Sequence, residues 1–336
     1  MSSADARGFA DPADYDRHGH YLRKSAAGSA DLALYQFRFR DRISRDGSTP
    51  YRAEAGRYHL YLALSCPWAQ RAAIVVNLLG LGDVISHSLV DDVRDGRGWA
   101  FRERRGCDPI NNFSFLKQAY LVTDPAFVGH VNVPTLWDRK TGRVVNNADD
   151  DIFWDVMTHF GEWAENPIDL YPQAYRVEID CLDATIHENV NFGVYRAAVS
   201  SDQHDHHIAM TRVFDTLDWL EERLETTRYL FGDTITETDI RLWVTLARFD
   251  VVYNPLFKVN LRRLVDYPNL WAYARDLYSL PAFAQLTDFG AFKFSYDHAF
   301  PLLSRADGIP AGPIVDWSEP QQRARIGRKA NGDRPC

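Results

Sequence analysis

The chain has 336 residues, of which 46% are hydrophobic, 13% aromatic and 25% charged, enough apolar mass for a sizeable core divided between two domains. A formal net charge of −8 gives no general attraction to nucleic-acid phosphates or anionic lipid, so small-molecule chemistry is expected, without nucleic-acid or membrane partners. No apolar run is long enough to span a bilayer, and Met1 to Ala10 is polar and acidic where a signal peptide is basic and then apolar, so a cytoplasmic location is the expectation.

Residues 1–31 are rich in Ser, Ala, Asp and Gly without sustained periodicity and predict a flexible N-terminal arm. Residues 32–165 predict an α/β, thioredoxin-like domain. Tyr58 to Leu64 is apolar and aromatic enough for a buried strand, and Cys66-Pro67 opens an apolar helical segment closed at Gly80. Val84 to Val90 is a second strand, and Val133 to Trp137 with Arg143 to Val145 forms a hairpin across Lys140-Thr141-Gly142. Asn146 to Asp151 then has the polar and acidic residues of a helix start. The order βαβ followed by ββα is that of a thioredoxin-like domain, interrupted at 91–129 by an insertion too long for an ordinary loop.

From about Tyr171 the period becomes helical, predicting an all-α domain over 166–316 and a C-terminal tail over 317–336. Tyr175, Ile179, Leu182, Ile186 and Val190 share one face, as do Val213, Phe214, Leu217, Leu220 and Leu224. Ile235 to Ile240 supplies a helix start, with Thr236 as N-cap and Asp239 in the place of the usual Glu or Gln of a capping box.

The four cysteines, Cys66, Cys107, Cys181 and Cys336, form neither a CxxC pair nor a zinc pattern and are expected to be free thiols. Cys66 lies just before a proline at the first helical position, where unpaired N–H groups and the helix dipole favour a thiolate. Ala69 stands where a resolving cysteine would be, so the natural product is a mixed disulfide with a small external thiol. The position is also compatible with an inert cysteine at a strand end. Pro134 favours the reactive reading, because a cis-proline before the hairpin strand presents the backbone of the preceding residue to a bound thiol; a plain strand-start proline is the alternative.

Glu54 to Tyr61, Cys66-Pro67-Trp68-Ala69 with Arg71, Gly98 to Phe101, Val133-Pro134, Asn191 to Ala197 and Leu230 to Lys258 stand in this order in the chain. The ensemble resembles the Xi-class glutathione transferases, the glutathionyl-hydroquinone reductases, from about Tyr35 to Asp316. The resemblance implies a glutathione transferase fold, an N-terminal thioredoxin-like domain with an all-helical C-terminal domain, and a homodimer. It implies reductive removal of glutathione from hydroquinone conjugates, with Cys66 as nucleophile and Tyr195 and Tyr296 as catalytic phenols. Trp99, Lys117, Val133, Pro134 and Asp149 fall at the thiol-binding positions, and Tyr195, Tyr253 and Tyr296 at those for the aromatic or quinone substrate.

Several positions depart from the family pattern. Ala148-Asp149 replaces the Glu-Ser pair that holds the γ-glutamyl end of glutathione, Lys117 stands where an arginine is common, Gln70 replaces a histidine, and Asp297 and Phe300 replace a tyrosine and a histidine. With the predominance of Arg over Lys, these changes make mycothiol, a sugar-linked cysteine without a γ-glutamyl group, an alternative thiol co-substrate. A conjugating glutathione transferase and a non-catalytic thioredoxin-fold binding protein are the rival readings. No metal is expected: His204-Asp205-His206-His207 reads as solvated residues in a loop before a helix, and the basic tail Arg323 to Arg334 as a solvated segment.

Overall fold

The computed structural model describes residues 8–21, 37–200, 202–301, 303–304, 309, 312–321, 323 and 326. The chain forms two compact units, one reaching to Pro167 and including Phe294–Ala299, the other comprising Ile168–Lys293 and the chain from Phe300.

In the first unit, a short helix α1 (Tyr15–His18) precedes the paired strands β1 (Ile43–Ser44) and β2 (Tyr51–Arg52). Then come β3 (Tyr58–Leu62), α2 (Pro67–Leu78), β4 (Ile85–Leu89), α3 (Lys117–Thr123), β5 (Thr135–Asp138), β6 (Arg143–Asn146) and α4 (Asp149–His159). The sheet order is β4-β3-β5-β6, with β3 parallel to β4 and antiparallel to β5, and β5 antiparallel to β6. This is the expected thioredoxin-like order. Every residue of β3 is buried, as befits a central strand covered on both faces. Its one imidazole is satisfied: His59 bonds Ser86 Oγ at 2.8 Å through Nδ1 and Ser88 Oγ at 2.9 Å through Nε2, both on β4.

Two residues along, on the same face as His59, the Tyr61 hydroxyl donates to Asp108 at 3.1 Å and its ring meets Phe101 edge-on at 5.7 Å. Phe113 packs against Trp137 of β5. The 91–129 insertion therefore covers one face of the sheet. At the strand ends, Arg57 forks onto Asp138 at 2.9 and 2.8 Å, both side chains buried, and so fastens the start of β3 to the end of β5. Gly80, with φ +69°, terminates α2 in the left-handed conformation that a side chain disfavours.

Residues 8–21 are docked, where composition led to the expectation of a flexible arm. Asp95 accepts from Asp14 N at 3.0 Å, Arg102 Nε donates to Asp11 O at 2.9 Å, Ala10 N donates to Phe101 O at 2.9 Å and Gly96 N to Gly19 O at 2.8 Å. The approach is close enough that a Cβ at Gly96 would fall 1.9 Å from the His18 carbonyl oxygen. Polar backbone that lacks periodicity finds its partners on the insertion, and those partners are invisible locally.

The second unit is helical: α5 (Arg176–Ile186), α6 (Gly193–Val199), α7 (Gln203–Arg223), α8 (Glu237–Arg248), α9 (Pro268–Tyr278) and α10 (Pro281–Ala284), with α11 (Phe289–Ala299) crossing into the first. Both predicted apolar faces are buried except Tyr175, which is half-exposed. The predicted capping box is present at Thr236 and Asp239. Asp239 is fully buried and accepts from Leu230 N, Thr236 N, Thr236 Oγ1 and the Tyr273 hydroxyl at 2.7–3.0 Å.

Three further expectations are corrected. His204 to His207 lie in the first turns of α7 rather than in a loop, because Asp202 caps the helix by accepting from Asp205 N. Arg323 is buried, not solvated: its guanidinium donates to the carbonyls of Leu224 and Thr227 just beyond α7. Cys181 is disulfide-bonded, whereas Cys66 and Cys107 are thiols; half-exposed on α5, Cys181 is open to pairing. Cys336 lies outside the described residues. No helix among the described residues is long and apolar enough to cross a membrane.

Candidate active site

Cys66 is the N-cap residue of α2, with extended backbone (φ −80°, ψ 118°), Pro67 in the first turn and no acidic residue there. Its carbonyl accepts the first helical bond, from Gln70 N at 3.0 Å. The half-exposed thiol therefore stands at the positive end of a helix of 12 residues, where a developing thiolate is stabilised. The thiol donates to the carbonyl of Val133 at 3.5 Å, and the Val133-Pro134 peptide is cis. Cys66, Val133 and Pro134 are thus brought together.

Asn132 and Asn147 fix the neighbouring segments to one another. Asn132 Nδ2 donates to Asn147 O at 2.6 Å, and Asn147 Nδ2 donates to Asn132 Oδ1 at 2.7 Å. The Tyr120 hydroxyl, fully buried, lies 3.2 Å from Asn132 O and 3.0 Å from Thr135 Oγ1. The residue before Val133 is thereby tied to the residue before Ala148. Neither asparagine is conspicuous in the sequence, since side-chain amides beside a turn read as ordinary turn chemistry.

Ala148 is the N-cap of α4 and offers no side-chain acceptor; Asp149, Asp150 and Asp151 fill the first turn. Three carboxylates beside a thiol site would repel an anionic ligand, but Arg71, buried in α2, donates to Asp150 at 2.9 Å and stands 3.8 Å from Asp149. Its guanidinium also lies 4.5 Å from the centre of the Phe153 ring. The charge of the acidic turn is therefore partly compensated from α2, a role that sequence reasoning missed.

Trp99 is buried, and its indole Nε1 has no hydrogen-bond partner among the described residues. Arg94 stacks over its ring at 4.5 Å. Leu116 N donates to Trp99 O at 3.0 Å, which places the exposed Lys117 one residue beyond that link. Tyr296 is buried on the 294–299 segment of the first unit.

In the second unit, Tyr195 and Tyr253 come together with their hydroxyls 3.3 Å apart. Phe257 packs on both rings, at 5.5 and 5.3 Å, and Phe300 on Phe257 at 4.8 Å. Tyr195 is half-buried and Tyr253 fully buried. Tyr253 ends a π-helical turn, Phe249–Tyr253, and a second, His187–Asn191, precedes the helix that carries Tyr195. Such widened turns redirect side chains and recur at functional sites. Among the described residues no group of three or more His, Cys, Asp or Glu could hold a metal ion.

Comparison with known proteins places this arrangement in a family. Residues 170–276 match the model of the glutathione S-transferase C-terminal domain. The chain is 40% identical over 265 residues to the glutathionyl-hydroquinone reductase PcpF of Sphingobium chlorophenolicum, covering 78% of this chain and 85% of that protein. It is 37% identical over 312 residues to the glutathionyl-hydroquinone reductase YqjG of Escherichia coli, covering 90% and 94%. The glutathione-bound structure of YqjG superposes with a TM-score of 0.83 over 85% of this chain and 96% of that one, at 37% identity. A glutathione transferase from Gordonia bronchialis superposes with a TM-score of 0.83 at 40% identity, over 87% and 92%. The chain has the glutathione transferase fold and belongs to the glutathionyl-hydroquinone reductase family, the Xi class of glutathione transferases.

Proposed function

We propose that this enzyme removes glutathione from glutathionyl-hydroquinones through a mixed disulfide at Cys66. The observation that carries this reading is the Cys66 thiol at the start of α2, hydrogen-bonded to the carbonyl before a cis-proline and with Ala69 in the place of a resolving cysteine. The Cys66 thiolate attacks the sulfur of the conjugate; an S–S bond forms, the sulfur–aryl bond breaks, and its electron pair passes to the ring carbon, which takes up a proton. The phenols of Tyr195 and Tyr296 supply that proton, and Tyr253 supports Tyr195. A second glutathione thiolate then attacks the mixed disulfide, releasing glutathione disulfide and the Cys66 thiolate. Trp99, Lys117, Val133 and Pro134 hold the thiol co-substrate in this reading, and Asp149 stands at the position that meets its far end.

The apolar N-cap Ala148 and anionic Asp149 at the start of α4 favour a second thiol. Neither residue accepts a γ-glutamyl group as a glutamate and a serine would, so mycothiol stands beside glutathione as candidate co-substrate. Intact mass after incubation with each thiol disulfide, on the native chain and on Cys66→Ser, tests both readings. An adduct that requires Cys66 names the thiol; turnover of glutathionyl-menadiol unimpaired in Cys66→Ser would overturn the mechanism. A homodimer is also proposed, on family resemblance, with light scattering at defined concentration as its test.

A further inference from the structure

We propose that Tyr21, on the N-terminal arm, is a positioning residue for the thiol site: it sets the backbone that receives the Cys66 thiol and holds Arg94 against Trp99. The proposal rests on the reading of Cys66 as the reactive centre. Val131 N donates to the Tyr21 hydroxyl at 2.9 Å, and that hydroxyl donates to Val131 O at 3.3 Å. Both main-chain groups of Val131 are therefore committed to one phenol, two residues before the Val133 carbonyl that accepts from Cys66. His130 packs on the same ring with centroids 5.2 Å apart.

The other side of Tyr21 serves Trp99, a thiol-binding residue in the function proposed above. The Arg94 guanidinium lies 4.8 Å from the Tyr21 ring centre and 4.5 Å from that of Trp99, so one cation is shared between an arm residue and the buried tryptophan. Gly98 makes room for this: it has φ +91°, and a Cβ there would come within 3.1 Å of the Tyr21 ring. The ring thus spans two segments that sequence separates, 94–99 and 130–133. The arm reaches this position because Asp95 and Arg102 anchor it upstream. A side chain with both carbonyl and amide of one residue in hand fixes the two peptide planes that flank that residue, which is what a thiol acceptor two residues away requires.

Tyr21→Phe keeps the ring and removes both hydrogen bonds to Val131, whereas Tyr21→Ala removes the ring as well. The measurements are glutathione binding by calorimetry and the rate at which iodoacetamide alkylates Cys66, both well below the melting temperature. A positioning role predicts a glutathione Kd weaker by about 3- to 10-fold in Tyr21→Phe and weaker still in Tyr21→Ala, with the alkylation rate shifted by about 3-fold or more. A merely structural role lowers the melting temperature and leaves both quantities unchanged. Values for Tyr21→Ala within about twofold of the native protein, for binding and alkylation alike, would overturn the proposal. If the native chain binds no glutathione, the thiol named above is wrong, and the alkylation rate still decides the role of Tyr21.

Discussion

Arg71, buried in the helix that Cys66 caps, donates to Asp150 at 2.9 Å and lies 3.8 Å from Asp149. The acidic start of α4 is thus coupled to the helix that carries the thiol, and the charge met by an incoming ligand is that of the set, not of Asp149 alone. Asp149→Ser combined with Ala148→Glu supplies a hydroxyl and a carboxylate at the start of α4. Glutathione affinity, measured by calorimetry, is expected to rise by about 3- to 10-fold. An unchanged Kd would show that these two positions do not set thiol preference.

The Tyr195 and Tyr253 hydroxyls stand 3.3 Å apart, Tyr195 half-buried and Tyr253 fully buried, so unequal roles are expected of them. Tyr195→Phe removes the proposed proton donor to the substrate and should lower kcat by about 10²-fold. Tyr253→Phe removes only its partner and should lower kcat by about 3- to 10-fold. Steady-state kinetics on glutathionyl-menadiol decide this, and equal losses would place both hydroxyls on the substrate.

The Arg57–Asp138 fork joins β3 to β5 with both side chains buried. Burial works to raise the Asp138 carboxyl, but the Arg57 fork, Thr141 and Lys140 N outweigh it and hold the carboxyl below its ordinary value. The pair therefore contributes stability above the ordinary aspartate range and loses it as pH falls through the depressed value. Asp138→Asn leaves the buried guanidinium with only the part-exposed Glu54, 2.8 Å away, as counter-charge and should cost about 1.5–3 kcal/mol in chemical denaturation at pH 7; a loss under about 1 kcal/mol would contradict this account.

Asp183 on α5 behaves in the opposite sense. Burial, reinforced by Glu237 beside it, pushes its carboxyl well up, against the pull of Arg241. Between its ordinary value of 3.8 and the raised one, the folded chain keeps a proton that the unfolded chain releases, so this group's contribution to stability falls as pH rises across that window. Asp183→Asn keeps the shape without the titration. It should stabilise the protein by roughly 1–3 kcal/mol at pH 8 and change little at pH 4; thermal melts showing the same difference at both pH values would refute the assignment.

What the sequence made legible was local. The β3-turn-α2 unit, the hairpin, the cis-proline and the Thr236–Asp239 cap each depend on residues within a few positions of one another, and each is present. What escaped were long-range partnerships without a periodic signal: the arm on Asp95 and Arg102, Arg71 on Asp150, and the Asn132–Asn147 exchange. A lone arginine or asparagine in a polar stretch reads the same whether it faces water or a carbonyl across the fold. Tyr195 and Tyr253 stand in between, since the family pattern picked them out while the π-helical turns beside them have no such signature.

Arg323 has a bearing on how the helical unit is made. The carbonyls of Leu224 and Thr227, left open just past α7, are met by a side chain almost a hundred positions later in the chain. Local bonds, Leu224 N to Leu220 O and Thr227 Oγ1 to Arg223 O, end the helix early in synthesis, but these last two carbonyls gain their side-chain donor only when nearly all of the helical unit has emerged. A nonsense mutation between positions 297 and 323 would release a chain that carries every predicted catalytic residue and yet leaves these two carbonyls without their guanidinium, a species for quality control to recognise.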